Sequence, residues 1–305
     1  MTEVKPVPTA QERLRTVPSM IAGLVRTARP RQWVKNVLVL AAPFGAERIT
    51  NGPVLLAALV AFVAFCLAAS AIYLINDAKD VEADRAHPTK RNRPIAAGIV
   101  PVPLAMSTGA ILLVAALGVA LTQNWRLLIV IAVYEAVQLG YCFGLKHEPV
   151  IDLCIVASGF LLRAIAGGVA AGVHMSQWFL LATAFGSLFM VSGKRYAEIR
   201  LYEETGAEIR SSLRKYSSSY LRFVWATSVA IVITMYGLWA FDLHQLSRSV
   251  WSEVSIVPFV IALLRYAVDV DGGKAGEPED IVLHDRVLQI LGVGWVLTLV
   301  LAFYA

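Results

Sequence analysis

The chain is poor in charge and in cysteine. Asp, Glu, Lys and Arg make up 16% of its 305 residues and hydrophobic residues 57%, whereas a soluble domain carries roughly a quarter charged residues. That balance excludes an ordinary soluble globular chain and a disordered one. The three cysteines, Cys66, Cys142 and Cys154, stand in apolar runs with no C-x-x-C pair among them. A thiolate metal centre is excluded by that spacing, and all three read as small buried apolar residues. The first 30 residues hold no apolar core followed by a small-residue cleavage site, so no cleaved secretory signal is expected. Low-complexity linkers, a soluble module and internal repeats are missing too, and nucleic acid is not an expected partner.

What the chain has instead is long apolar runs. About 17 to 25 apolar residues cross a bilayer as a helix, and nine candidate stretches recur, at 37–50, 53–75, 103–121, 126–143, 150–171, 177–193, 223–241, 252–269 and 287–304. The first is interrupted by Pro43 and Glu47. Before it, Ile21, Leu24, Val25 and Ala28 with Arg26 and Arg29 form an amphipathic piece suited to the membrane surface, stopped at Pro30. Lys and Arg accumulate in cytoplasmic loops. With the N-terminus inside, the inner segments hold 23 of the 27 basic residues; the outer loops hold Arg48, Arg126 and Arg248, and Arg163 falls within a span. The expected fold is therefore all-α, a polytopic membrane bundle of nine transmembrane helices with the N-terminus cytoplasmic and the C-terminus outside. Residues 1–35 read as a cytoplasmic and interfacial segment, and 36–305 as one transmembrane catalytic domain. The long, charged loops after the second, sixth and eighth spans place the chemistry at the cytoplasmic face of a plasma membrane, in contact with its lipids. The sequence leaves a homo-oligomer open.

The strongest signal follows the second span: Asn76, Asp77, Asp80, Asp84 and Arg85, then His87, Lys90, Arg91 and Arg93. On a continuing helix, spacings of three and seven put the three carboxylates on one face within about 10 Å. Three like charges on one stripe repel unless a cation sits among them. Mg²⁺ takes oxygen ligands, and one or two carboxylates plus substrate phosphates commonly hold it, so the stripe suits a metal-bridged diphosphate. The plain alternative is a solvated acidic helix end.

Here the sequence resembles the UbiA superfamily of intramembrane prenyltransferases, whose first aspartate-rich motif reads N-D-x-x-D-x-x-x-D. Asn76, Asp77, Asp80 and Asp84 match it, and the likeness includes Arg29–Asn36, Lys90–Gly98 and the YCFGLK run that ends at Lys146. The resemblance implies that two aspartate-rich loops hold Mg²⁺ and a diphosphate. The second motif, D-x-x-x-D, is represented by Asp152, but Val156 stands four residues later. The run from Asp152 through Gly159, Phe160 and Arg163 to Gly168, with Gly193–Glu198 and Arg265–Ile281, resembles a narrower phosphoribosyl-transferring branch. That likeness implies 5-phosphoribosyl 1-diphosphate as donor, decaprenyl phosphate as acceptor, and a role in cell-wall arabinan synthesis.

On this reading Asp77, Asp80 and Asp84 are the catalytic, metal-holding set with Mg²⁺. Lys35, Lys90, Arg91, Lys146, Lys194 and Arg195 neutralise phosphates, Asn36 and Asn76 give neutral contacts, and Arg85, Asp152 and Arg163 complete the substrate-binding set. Arg163 lies eleven residues after Asp152, nearly three turns, so the two share a helix face; it serves either a ligand phosphate or a structural pairing with carbonyls or a carboxylate. Asp269, Asp271, Glu277, Glu279 and Asp280 read as a lid or as a merely acidic loop. Two other functions stay open: prenyl transfer from a polyprenyl diphosphate to an aromatic acceptor, and a transporter with an ion site at the acidic stripe.

Overall fold

The computed structural model describes residues 17–206, 213–247, 249–273, 281 and 284–304. Arg210, Arg248, Lys274, Glu277, Glu279, Asp280 and the first sixteen residues lie outside these. The described residues are helical throughout: α1 (Val17–Ala28), α2 (Ala41–Gly45), α3 (Gly52–Lys79), α4 (Val81–Ala86), α5 (Val102–Gln123), α6 (Trp125–Phe143), α7 (Ile151–Ala171), α8 (Gln177–Thr205), α9 (Ser218–Ser247), α10 (Trp251–Val254), α11 (Ile256–Asp271) and α12 (Arg286–Tyr304), with short 3-10 pieces between them.

Among the described residues six stretches are helical, long and apolar enough to cross a membrane: Gly52–Lys79, Val102–Gln123, Trp125–Phe143, Ile151–Ala171, Ser218–Gln245 and Arg286–Phe303. The other three expected spans take different forms. Residues 37–50 form the end of a 3-10 helix (Pro30–Leu40) and the five-residue α2, so no continuous helix runs there. Residues 177–193 are the first part of the 29-residue α8, which continues without a break through Lys194 and Arg195 to Gly206 at φ 69°. Residues 252–269 divide into α10 and the 16-residue α11 at Ser255. The amphipathic piece is helical as expected, α1 ending one residue short of Arg29. Gly23 and Thr27 are its buried side, while Ile21 and Val25 face outward.

The chain forms two compact units. The first comprises residues up to Pro43, Arg48–Phe143 and Ala166–Val173; the second comprises Phe44–Glu47, Gly144–Ile165 and the chain from His174. In the first unit α3 is central. Asn51 caps it by accepting the Val54 N–H, and Pro53 sits in its first turn, where no donor is lost. Ala57, Ala58, Ala61, Ala64, Ala68 and Ala71 are buried along it. Helices in lipid gain little from excluding water, so small residues that permit close van der Waals contact set the packing. Gly109 on α5 follows the same rule, since a Cβ there would lie 2.8 Å from Ile75 Cγ1. Gly167 is stricter: a Cβ would sit 1.7 Å from the Val39 carbonyl oxygen, so only glycine lets these two backbones touch. Asn124 accepts the Leu127 N–H at 2.8 Å and donates to the Val169 carbonyl at 3.1 Å, tying the α5–α6 turn to the end of α7.

The core of the second unit gathers Leu153, Phe189, Tyr196, Leu213, Leu221, Trp225, Val229, Tyr266, Val270 and Leu288. Gly193 lets α8 approach α11, with Val270 methyls 3.2 Å from the place of a Cβ. The cysteine expectation needs one correction. Cys66 and Cys142 are buried, but Cys154 is exposed, because it lies on the outward side of α7 between inward-facing Leu153 and Ile155.

Candidate active site

At about 1.5 Å per residue, the 28-residue α3 is roughly 42 Å long, well beyond a hydrocarbon core of about 30 Å. Its C-terminal turns therefore carry Asp77 toward the membrane boundary. The aspartate stripe does not stand on one continuous helix. α3 ends at Asp80 (φ −90°, ψ 9°) and α4 restarts at Val81, while the Asp84 N–H still reaches the Asp80 carbonyl at 2.8 Å. The break keeps the turns in near register, so Asp77 and Asp84 remain on a common side.

Two arginines bring them together. Arg93 Nη1 donates to Asp77 Oδ1 at 3.0 Å and to Asp84 Oδ2 at 2.7 Å. Arg29 Nη2 donates to both Asp77 oxygens, at 2.9 and 3.0 Å. Asp77 and Asp84 are buried, so a shared guanidinium offsets the repulsion that the sequence alone implied. Arg29 adopts φ 54°, ψ 59°, a left-handed conformation costing a non-glycine residue roughly 1–2 kcal/mol, with its guanidinium 4.6 Å from the centre of the Tyr73 ring. The approach is fixed from behind: Trp33 Nε1 donates to Ser70 Oγ, which donates to the Ala28 carbonyl, both at 3.1 Å. Burial raises the Asp84 carboxyl above its ordinary value and a repelling Asp77 adds to this; Arg93 and Lys90 act the other way.

Neither Arg29 nor Arg93 was singled out by spacing. They stand 48 and 16 residues from Asp77, and their trace in the sequence is membership of the family-like runs Arg29–Asn36 and Lys90–Gly98. Asp80 and Asn76 are half-buried on the same helix end, and Lys90 is near enough to act on Asp84. Arg91 is exposed. Arg85 points elsewhere, to Glu82 at 2.8 Å and to the Ala96 carbonyl at 3.3 Å. Asn36 is wholly buried and donates to Cys66 Sγ at 3.2 Å, eleven residues before Asp77 on α3 and roughly 16 Å along its axis. Lys35, seven residues after the end of α1, is half-buried.

The second unit carries its own carboxylate cluster. Asp152, in the first turn of α7, is 1% exposed. Arg195 Nη1 lies 2.8 Å from its Oδ2, and Tyr216 donates its hydroxyl to Oδ1. Arg195 is itself buried, so of the neighbouring pair Lys194 and Arg195 only Lys194 is partly open to solvent. Val156 packs against the core around Phe189. Arg163 donates to the Gly159 carbonyl at 2.7 Å within its own helix. Lys146 is half-buried in the loop before α7. Asp271 pairs with Arg222, and Asp269 is half-buried.

Among the described residues no three His, Cys, Asp or Glu side chains converge as a complete metal-binding group. Mg²⁺ needs no such group, since it keeps waters and takes phosphate oxygens beside one or two carboxylates. The hard oxygen donors Asp77, Asp80 and Asp84 fit it; the soft or nitrogen ligands that would select zinc are missing from this cluster.

Residues 37–282 match the UbiA prenyltransferase family. The chain belongs to that family. UbiA family relatives of this chain include the decaprenyl-phosphate phosphoribosyltransferase of Mycolicibacterium smegmatis, 59% identical over 94% of both chains. That of Mycobacterium tuberculosis is 58% identical over 92% of this chain and 94% of its own, and that of Corynebacterium glutamicum 56% identical over 92% and 87%. Among solved structures, a UbiA homolog from Archaeoglobus fulgidus bound to GPP and Mg²⁺ superposes with a TM-score of 0.69 at 18% identity, covering 92% of this chain and 98% of that one. The UbiA fold expected from the aspartate motif is thus the observed one.

Proposed function

We propose that this UbiA family member transfers 5-phosphoribose from 5-phosphoribosyl 1-diphosphate to decaprenyl phosphate, releasing diphosphate, in the supply of pentose for cell-wall arabinan. The observation that carries the reading is identity of 56–59% over at least 92% of the chain to three decaprenyl-phosphate phosphoribosyltransferases. The chemistry of the Asp77 cluster supports it.

A phosphate monoester has a second pKa near 6, so the acceptor is already a nucleophile at neutral pH and no general base is required. The acceptor oxygen bonds to the anomeric carbon as the bond to the diphosphate breaks. Asp77 and Asp80 would hold Mg²⁺, with Asp84 near; when bound, the ion stabilises charge on the departing diphosphate. Arg29 and Arg93 hold the carboxylates in place while remaining part-exposed themselves. Lys90, Lys146 and Lys194 are assigned to the substrates' phosphates, since two polyanions meet only where cations screen their repulsion. The reading includes nine spans with the N-terminus inside and the C-terminus outside, one catalytic domain over 36–305, and a site facing the cytoplasm at the plasma membrane, where a water-soluble donor meets a lipid acceptor. The excess of basic residues in the inner segments supports that orientation.

The test is to incubate purified protein in lipid vesicles with each donor and acceptor pair and to identify the lipid product by mass spectrometry. A polyprenyl phosphoryl 5-phosphoribose, formed only with Mg²⁺ and both substrates, is the expected product. A prenylated aromatic acid made from polyprenyl diphosphate, with no phosphoribosylated lipid, would overturn the proposal.

A further inference from the structure

Outside the aspartate cluster, one side chain gathers more of the site-bearing chain than its place in the sequence implies. Tyr216 follows the 3-10 helix Leu213–Lys215 and is buried. Its hydroxyl accepts the Val150 N–H at 2.6 Å and donates to Asp152 Oδ1, while Asp152 pairs through Oδ2 with Arg195. The preceding residue, Lys215, donates through Nζ to the His147 carbonyl at 2.7 Å. The loop that carries Lys146 is therefore held at two points, and the stretch of α8 that carries Lys194 is held through its neighbour Arg195. Val150 has φ 69°. A β-branched residue in the left-handed region is strained and persists only where its surroundings over-determine it. Tyr216 is what holds its N–H. Burial raises the Tyr216 pKa, and its hydrogen bond to Asp152 does so too. The hydroxyl thus stays protonated and donating through the neutral range.

We propose that Tyr216 is a positioning residue for the transfer reaction: through Val150, Asp152 and Arg195 it fixes the two lysine-bearing segments, Lys146 and Lys194, that receive the anionic sugar donor. The proposal rests on the assignment of those lysines to substrate phosphates made above. Tyr216 touches no substrate; it sets where the segments lie.

Tyr216→Phe deletes the hydroxyl and keeps the ring stacked on Tyr220. We expect KM for 5-phosphoribosyl 1-diphosphate to rise about tenfold, with kcat and the lipid-acceptor KM changed by less than about threefold. A purely structural residue would instead lower the active fraction at unchanged KM. Adding Val150→Gly, which accepts φ near 69° at no steric cost, should recover most of the lost donor affinity. Amide hydrogen exchange over residues 144–152, read without any substrate, should quicken in Tyr216→Phe. Unchanged donor KM, or unchanged exchange in that loop, overturns the proposal. Wild-type protein that makes no phosphoribosylated lipid, yet shows the faster exchange on substitution, would refute the assigned reaction and leave the positioning role standing.

Discussion

The two units each bury an aspartate beside an arginine, and they do so for different ends. In the first, Asp77 and Asp84 are enclosed but their partners stay open: the Arg29 and Arg93 side chains are 31% and 29% exposed. In the second, both partners are enclosed, Arg195 at 7% and Asp152 at 1%, with a tyrosine hydroxyl completing the cluster. An ion pair with a solvent-facing member can exchange that member for a phosphate or a metal ion at modest cost. A pair enclosed on all sides cannot, because any exchange leaves an unpaired buried charge. On the proposed reaction, carboxylates of one type divide between chemistry and scaffold according to what surrounds them.

The sharpest way to break this contrast is to remove one carboxylate from each side. Asp152→Ala strands the buried Arg195 and should destabilise the protein by about 3–5 kcal/mol, read as a lowered melting temperature and poor recovery in detergent. A melting temperature equal to wild type would place Asp152 outside the scaffold. Asp77→Asn keeps shape and removes a charged oxygen; kcat should fall on the order of 10²-fold or more while the helical content and melting temperature stay near wild type. Near-normal turnover at ordinary Mg²⁺ would remove the stripe from the mechanism.

Asp84 offers a finer distinction. Its folded pKa is raised, chiefly by burial, so the fold favours its protonated form. That contribution to stability is complete below the unfolded carboxylate pKa and is lost as the pH rises through the raised value. Turnover that needs ionised Asp84 should accordingly decline on the acid side at a higher pH than an ordinary carboxylate would set. Asp84→Asn should flatten that acid limb in a kcat/KM profile and cost less than Asp77→Asn at neutral pH. An acid limb that survives the substitution unmoved assigns it to another group. The smallest effect is expected at Arg85, whose partner Glu82 is 81% exposed. Arg85→Gln should change stability by less than about 1 kcal/mol and leave both KM values alone, and a several-fold rise in donor KM would restore Arg85 to the site.

Much of this was legible in the sequence because it is local. Among the described residues six of the nine apolar runs are membrane-length helices, and Asn76 and Asp77 at the end of α3 and Asp84 on α4 keep to a common side as their spacing requires. The parts that were not legible are set by distant partners or by backbone geometry. Arg29 reaches Asp77 across 48 residues and Tyr216 reaches Asp152 across 64, and no period in the chain encodes either. The helix break at Asp80 and the 3-10 form of Pro30–Leu40 carry no hydrophobic signature, since the apolar residues look the same in both helix types. Arg195 reads as a phosphate-neutralising cation like Lys194, which it follows at the end of an apolar run. Only the fold shows that one of these neighbours turns inward to Asp152.

In the proposed reaction the water-soluble partner, not the lipid, supplies the departing diphosphate. The most direct measurement mixes vesicle-embedded protein and Mg²⁺ with four substrates at once: 5-phosphoribosyl 1-diphosphate labelled in both ribose and diphosphate, polyprenyl monophosphate, polyprenyl diphosphate and an aromatic acid. Released diphosphate should carry the label, the ribosyl label should pass into the lipid phase in equal amount, and Asp77→Asn should suppress both. Unlabelled diphosphate released from the polyprenyl substrate, with the ribosyl label left in water, would contradict it.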